Sequence, residues 1–193
     1  MSAALIARAD ALWDAANRLL GAEGLLALIQ AVGPAQVVGS AAYNLMTRPD
    51  IDISMQIADG QDVAAAFALG ERIANRYRVG KMTFSNFYVR EDTPFDHGLY
   101  WGVILPYAGE TWQVDLWAFA PPFYAEQIAF SDSLRSRLAA VDRLTVLALK
   151  EGLMQRGVYR SEVSSIALYE AVIAGVRSLD DFDTWWEAAQ CAS

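Results

Sequence analysis

The sequence predicts an α+β protein, with a small mixed β-sheet in its centre, helices mainly on one face of the sheet and a C-terminal helical bundle. Apolar residues recur at helical spacing through about the first thirty positions of the 193-residue chain, and again after position 121. Between these regions, residues 36–119 contain short segments rich in aromatic and β-branched side chains, separated by Gly, Pro and Asp. With 54% apolar and 20% charged residues, the chain can bury a sizeable core.

Two helices are predicted at the start of the chain. Leu12 and Leu19 belong to an apolar stripe with charged residues between its members, and Gly21 and Gly24 then interrupt the pattern. A second short helix follows and ends near Gly33. We expect both helices to cover one face of the sheet.

The strands of the predicted sheet begin with a short buried segment at 36–38, which runs directly into Gly39-Ser40. Residues 50–57 then alternate strictly between polar and apolar side chains, the pattern of a half-buried strand. Its open, polar face begins with Asp50 and Asp52, whose carboxylates project side by side. Further along, a helix is predicted at 61–76 and strands at about 81–90, 99–105 and 111–119.

The chain returns to helical periodicity at Pro121-Pro122, with helices predicted near 122–138, 142–156, 161–175 and 180–190. No flexible linker separates these helices from the strands. The predicted organisation is therefore a core at 1–120, including the N-terminal helices, and a helical subdomain at 121–193 that packs on it.

Composition excludes several classes of protein. No apolar stretch approaches the roughly 18 residues that a membrane-spanning helix needs. The N-terminus lacks the pattern of a secretory signal, so we expect a cytoplasmic protein. Cys191 is the only cysteine, which excludes an intrachain disulfide. A net charge of −8 argues against nucleic acid as a partner, because duplex binding needs a basic face.

Three features of the sequence carry chemistry. Two close carboxylates such as Asp50 and Asp52 repel each other unless a cation lies between them, and hard cations such as Mg²⁺ bind through oxygen ligands. Asp115 lies inside an apolar strand, where a buried charge is costly unless it is paired or bound to metal. Gly39-Ser40 lies at a predicted strand-to-helix turn, where N–H groups and a hydroxyl can hold an anion. A third carboxylate beside the pair would complete a two-metal centre.

In this order, the features resemble the polymerase-beta-like nucleotidyltransferase superfamily, which includes small antibiotic nucleotidyltransferases. The resemblance is carried by Val38-Gly39-Ser40, by the segment 45–53 (LMTRPDIDI) and by Val114-Asp115-Leu116, and it covers about residues 36–119. It implies a nucleotidyltransferase core and an enzyme that uses a nucleoside triphosphate with Mg²⁺ or Mn²⁺. It also implies roles for five residues: phosphate binding at Gly39 and Ser40, and metal binding and catalysis at Asp50, Asp52 and Asp115.

Other residues are weaker candidates. Arg48 can contact a phosphate or border a turn, and Lys150 can face a γ-phosphate or lie on a solvated helix. The general base is Asp115 in the simplest interpretation, with Glu110 and Glu151 as alternatives. His97, the only histidine, is predicted to lie in a loop.

The predicted function is metal-dependent transfer of a nucleoside monophosphate from a nucleoside triphosphate to a hydroxyl, with release of pyrophosphate. The predicted acceptor is a small molecule, for which a cationic aminoglycoside or a lincosamide-like sugar fits the acidic charge, or a protein. Two alternatives stay open: a catalytically inactive relative that binds nucleotide or a protein partner, and a helical interaction protein whose strands only present a surface.

Overall fold

The computed structural model describes residues 2–58, 62–90 and 98–191. Within these ranges, a five-stranded mixed sheet forms the centre of the molecule, in the strand order β1-β2-β5-β4-β3. Only β2 and β5 pair in parallel; the other neighbours are antiparallel. The strands are β1 (Ala35–Val38), β2 (Asp50–Gln56), β3 (Lys81–Asn86), β4 (Leu99–Tyr107) and β5 (Glu110–Phe119).

Helices precede, interrupt and follow the sheet. A π-helical turn (Arg18–Ala22) continues the first helix, and the described helices are α1 (Ser2–Asn17), α2 (Leu25–Gln30), α3 (Gly39–Ala42), α4 (Val63–Arg76), α5 (Pro121–Leu138), α6 (Arg143–Gln155), α7 (Ser165–Ile173) and α8 (Leu179–Cys191). None of them is long and apolar enough to cross a membrane. The predicted α+β class is confirmed.

Local side-chain hydrogen bonds explain why the observed ends of a strand and a helix differ from the predicted ones. The strand predicted at 81–90 ends at Asn86, because the Asn86 side chain accepts a hydrogen bond from the Tyr88 amide and starts a turn. The helix predicted from residue 161 begins only at Ser165, because the Ser164 hydroxyl caps it by accepting from the Ala167 amide.

The buried apolar residues form two clusters. The larger joins α1, α2 and α4 to the apolar face of the sheet, with Ile51 and Ile53 from β2 and Val114 and Leu116 from β5. The smaller joins α5, α6, α7 and α8, and within it Leu45 is the contribution from the first half of the chain. The division at residue 120 stays a prediction, since Leu45 links the two regions.

The polar face of β2 is more covered than the alternating pattern predicts. Asp50 is 6% exposed and Ser54 is 4% exposed, so this face is not open over its whole length. Helix α5 contacts β1, β2 and β5, and Gln36 on that face donates a hydrogen bond to Asp132 of α5. The carboxylates therefore lie on a sheet face that the C-terminal helices partly cover.

Candidate metal and nucleotide site

The three predicted carboxylates lie together on one face of the sheet. Asp52 of β2 is the direct neighbour of Asp115 in the parallel pairing of β2 with β5, and Asp50 lies two residues earlier on the same face. This follows from the strand period of two, which places alternate residues on one face and keeps paired residues on the same side. The structure thus brings together residues that are 63 and 65 positions apart in the printed sequence.

Negative charge accumulates at this point. Asp50 and Asp115 are each 6% exposed, and Asp52 is half-buried. Burial, reinforced by the charges of Asp50 and Asp115, raises the pKa of Asp52 to about 7. Burial also raises the pKa of Asp50, and the positive charge of Arg48 opposes that rise. The neighbouring carboxylates therefore oppose the ionisation of Asp52.

Asp50 is held by cations. Its Oδ2 accepts hydrogen bonds from Arg48 Nη2 at 2.9 Å and from Arg160 Nη1 at 2.6 Å. Its other oxygen, Oδ1, is buried and has no hydrogen-bond partner among the described residues. A buried carboxylate oxygen left in this state is costly unless something binds it.

Asp115 is held by neutral donors instead. The Tyr100 hydroxyl donates to Oδ1 at 2.7 Å, and the Gln113 amide donates to Oδ1 at 3.0 Å and to Oδ2 at 3.1 Å. Gly102, which pairs with Asp115 across β4 and β5, leaves room for this arrangement, since a Cβ there would come within 2.6 Å of the Tyr100 hydroxyl. These contacts orient Asp115 without neutralising it.

Gly39 lies against Asp52. Its φ is +65°, a left-handed conformation that L-residues rarely adopt, and a Cβ at this position would overlap Asp52 Oδ2. Ser40 follows and is half-buried. The turn predicted to hold phosphates is therefore packed directly against the predicted metal-binding strand, and only glycine permits that approach.

The residues present fit a hard divalent cation. As the side chains stand, no group of three or more His, Cys, Asp or Glu residues in the described ranges is arranged to hold an ion. The chemistry of the donors is nevertheless that of a Mg²⁺ or Mn²⁺ site: carboxylates from two paired strands, one unpartnered buried oxygen on Asp50, and a raised pKa at Asp52.

Lys150 is placed inside the protein, although the sequence predicts it at the phosphates or on a solvated helix. It is 1% exposed, and its Nζ donates to the Leu45 carbonyl at 2.8 Å and to the Tyr169 hydroxyl at 2.7 Å. Burial lowers its pKa to about 7, against the attraction of Asp52 and Asp50. The solvated interpretation is wrong, and a phosphate contact stays a prediction.

Helix α6 anchors the segment that leads into Asp50. Besides Lys150, Arg143 donates from Nε to the Asn44 carbonyl and from Nη2 to its side-chain oxygen, each at 2.8 Å. Thr47 Oγ1 lies 3.6 Å from Met154 Sδ. Arg143, Lys150 and Met154 share one helical face, so a single helix positions the approach to the carboxylates.

The alternative base candidates lie elsewhere. Glu110 pairs with Arg8 at 2.5 Å, near the start of β5, and Glu151 accepts a hydrogen bond from Gln155 within α6. His97 lies outside the described residues. Of the three predicted bases, Asp115 is the one that lies in the carboxylate cluster.

Sequence reasoning missed Tyr100, Gln113 and Arg160. Gln113 could have been found, because it lies two residues before Asp115 and so shares its face. Tyr100 depends on the register of β4 against β5, and Arg160 on the packing of the helical subdomain, neither of which the local pattern contains.

The mixed sheet with its flanking helices agrees with the nucleotidyltransferase core that the sequence predicts, so the expected fold is confirmed. Three solved structures share it. The GLD-2/RNP-8 complex is 18% identical with a TM-score of 0.56, over 85% of this chain and 54% of that chain. Terminal uridylyl transferase 4 from Trypanosoma brucei with bound UTP and UpU is 15% identical with a TM-score of 0.50, over 83% of this chain and 52% of that chain. A cytoplasmic RNA terminal U-transferase is 12% identical with a TM-score of 0.54, over 86% of this chain and 51% of that chain.

This chain therefore spans about half the length of the solved structures that it matches. It matches no family model and no curated protein.

Proposed function

We propose that this protein is a metal-dependent nucleotidyltransferase, which moves a nucleoside monophosphate from a nucleoside triphosphate to a hydroxyl and releases pyrophosphate. The observation that carries the proposal is the meeting of Asp50, Asp52 and Asp115 on one sheet face, with Gly39 packed against Asp52. The shared fold supports it, since the similar solved structures include proteins described as a poly(A) polymerase and as uridylyl transferases.

Each residue has a proposed role. Asp50, Asp52 and Asp115 would hold Mg²⁺ or Mn²⁺ through carboxylate oxygens, and a cation bound there neutralises charge that develops on the phosphates. Gly39 and Ser40 would place the triphosphate beside them. Arg48 and Arg160 contact the cluster, and the charge of Lys150 acts on Asp52, so these cations would offset the remaining negative charge of the substrate.

The reaction needs one proton to move. The acceptor oxygen forms a bond to the α-phosphorus while the bond from that phosphorus to the pyrophosphate oxygen breaks, and pyrophosphate carries away the electron pair. The acceptor hydroxyl gives its proton to a base, for which we propose Asp115. Tyr100 and Gln113 hold the Asp115 carboxylate in a fixed orientation for that transfer.

For the acceptor we propose a small hydroxyl-bearing molecule, because a chain with net charge −8 favours a neutral or cationic acceptor over a polyanion. RNA is the second candidate, favoured by the RNA terminal U-transferase among the similar solved structures. A protein hydroxyl is the third acceptor class to be tested.

The decisive experiment is a transfer assay. Each α-labelled nucleoside triphosphate is incubated with Mg²⁺ or Mn²⁺ and with a panel containing aminoglycosides, lincosamides, a short oligoribonucleotide and a protein extract. We expect label to move to one acceptor class, with pyrophosphate release, and Asp52→Asn and Asp115→Asn to lower the rate by at least about a hundredfold.

Asp183→Asn serves as the matched control, because Asp183 is an exposed aspartate that pairs with Arg156 on the helical subdomain. It should retain the wild-type rate. If the wild type transfers label to an acceptor, and Asp52→Asn and Asp115→Asn do so at the same rate, the carboxylates do not catalyse the reaction and the proposal fails. Metal-dependent nucleotide binding without any pyrophosphate release would favour the inactive, nucleotide-binding alternative.

A further inference from the structure

Arg160 contacts the carboxylate cluster although it is distant from it in the sequence. It lies between α6 and α7, and its Nη1 donates to Asp50 Oδ2 at 2.6 Å across a sequence separation of 110 residues. Arg48 donates to the same oxygen. One carboxylate oxygen thus accepts hydrogen bonds from two guanidinium groups.

The backbone holds Arg160 in an uncommon conformation. Its φ is +68°, in the left-handed region that residues other than glycine rarely adopt, and its amide donates to the Val163 carbonyl at 2.8 Å. Val163 is 3% exposed and belongs to the smaller apolar cluster. The turn, and with it the origin of the Arg160 side chain, is therefore fixed by the packing of the helical subdomain.

The two arginines make Asp50 unlike Asp115. A divalent cation that binds Asp50 must approach a carboxylate whose Oδ2 already faces two positive groups. The hydrogen bonds to Asp115 within the described part of the chain come from the neutral side chains of Tyr100 and Gln113. Like charges at such distances repel, and the repulsion is stronger where part of the site is buried.

Granted the proposed function, we infer that Arg160 is a positioning residue that competes with the divalent cation for Asp50 and so weakens the affinity of the site for metal. In the metal-free protein its guanidinium stabilises the Asp50 carboxylate. A cation on the free Oδ1 repels this guanidinium and weakens its contact with Oδ2, so the metal and the Arg160 contact oppose each other reciprocally. The helical subdomain thereby sets the metal affinity of a site that lies on the sheet.

The test measures Mn²⁺ binding by calorimetry in the full chain without nucleotide, beside the melting temperature of the metal-free protein. Arg160→Ala and Arg160→Gly both remove the guanidinium, but glycine tolerates the positive φ and alanine does not. We expect both variants to bind Mn²⁺ about tenfold more tightly than the wild type. We expect Arg160→Gly to melt higher than Arg160→Ala, and Arg160→Lys to stay near the wild-type affinity.

Arg156→Ala is the matched control. Arg156 has the same side-chain exposure as Arg160, 38%, and pairs with Asp183 at 2.7 Å, away from the carboxylates. It should leave the Mn²⁺ affinity unchanged. Mn²⁺ binding that is lost in Asp52→Asn but equal or weaker in both Arg160 variants overturns the competition while leaving the proposed function intact. If Mn²⁺ binding does not depend on Asp52 in any of the proteins, both the competition by Arg160 and the proposed function fail.

Discussion

Asp52 lies between two other carboxylates, and the charge of this trio determines how the site responds to pH. Its pKa is about 7 in the folded protein, above the ordinary value of 3.8, because burial and the charges of Asp50 and Asp115 disfavour ionisation. The folded state therefore binds a proton more tightly than the unfolded chain does. Between about pH 4 and pH 7 the unfolded chain loses that proton first, so stability falls as pH rises.

Replacing Asp52 by Asn should remove this loss. In the metal-free protein at pH 8, we expect Asp52→Asn to raise the free energy of unfolding by roughly 2 to 4 kcal/mol, and to change it little below pH 4. Urea unfolding followed across this pH range measures the effect. Asp14→Asn, at an exposed helical aspartate, is the control and should keep the wild-type pH slope. An unchanged slope in Asp52→Asn would contradict the electrostatic account.

Gly39 permits the close contact between the Gly39-Ser40 turn and Asp52. We expect Gly39→Ala to lower the free energy of unfolding by about 1–3 kcal/mol, because the new Cβ is strained by the positive φ and overlaps Asp52 Oδ2. It should also weaken nucleoside triphosphate binding. Gly109→Ala is the control, since Gly109 has a φ of +82° but an added Cβ there meets no atom within 4 Å. The Gly109→Ala variant should lose about 1 kcal/mol in the free energy of unfolding and should bind nucleotide as the wild type does.

The carboxylates of the site could be predicted from the sequence, because their positions follow from the alternation of polar and apolar residues along the strands. Asp50 and Asp52 share a face because the strand period is two, and Asp115 is conspicuous because it interrupts an apolar run. The partners of these residues could not be predicted in the same way. Tyr100 and Arg160 reach the site through strand register and helix packing, which are set by the whole fold.

At the scale of secondary structure elements, α6 connects the C-terminal helices to the segment that leads into the site. Its Arg143 and Lys150 hold the backbone carbonyls of Asn44 and Leu45, which precede the strand that carries the first two carboxylates. The sequence shows that Arg143 and Lys150 share a helical face, but it does not show which surface that face contacts. For this reason the sequence leaves two interpretations of Lys150, as a solvated cation or as a phosphate-facing one.

Arg143→Ala should loosen this connection. Arg143 also donates to Asp10 of α1 at 2.6 Å, so alanine removes contacts to two segments. We expect a loss of about 2 kcal/mol in the free energy of unfolding, since hydrogen bonds from a charged donor are lost together. Arg137→Ala, which removes an exposed pair with Glu170 between α5 and α7, should cost clearly less, because solvent screens exposed ion pairs. Equal losses in the two variants would contradict an anchoring role for α6.

At the scale of the whole molecule, one apolar cluster lies between the sheet and the helices α1, α2 and α4, and a second joins the C-terminal helices. The fold class and the order of the elements could be predicted, because periodicity and punctuation are local properties of the sequence. The coverage of the polar face could not, since it depends on how α5 and the helices after it pack back on the sheet. Asp50, Asp52 and Asp115 lie together on this polar face, and the net charge of −8 is compatible with a cation between them.

The central claim is that these three carboxylates bind nucleotide through a metal, and equilibrium binding of a non-hydrolysable nucleoside triphosphate analogue tests it most directly. Titrations of the wild type, Asp52→Asn and Asp115→Asn are compared with and without Mg²⁺. The account predicts binding by the wild type that requires Mg²⁺ and is weakened at least about tenfold in both variants. Binding that is indifferent to Mg²⁺ and equal in all three proteins would contradict it.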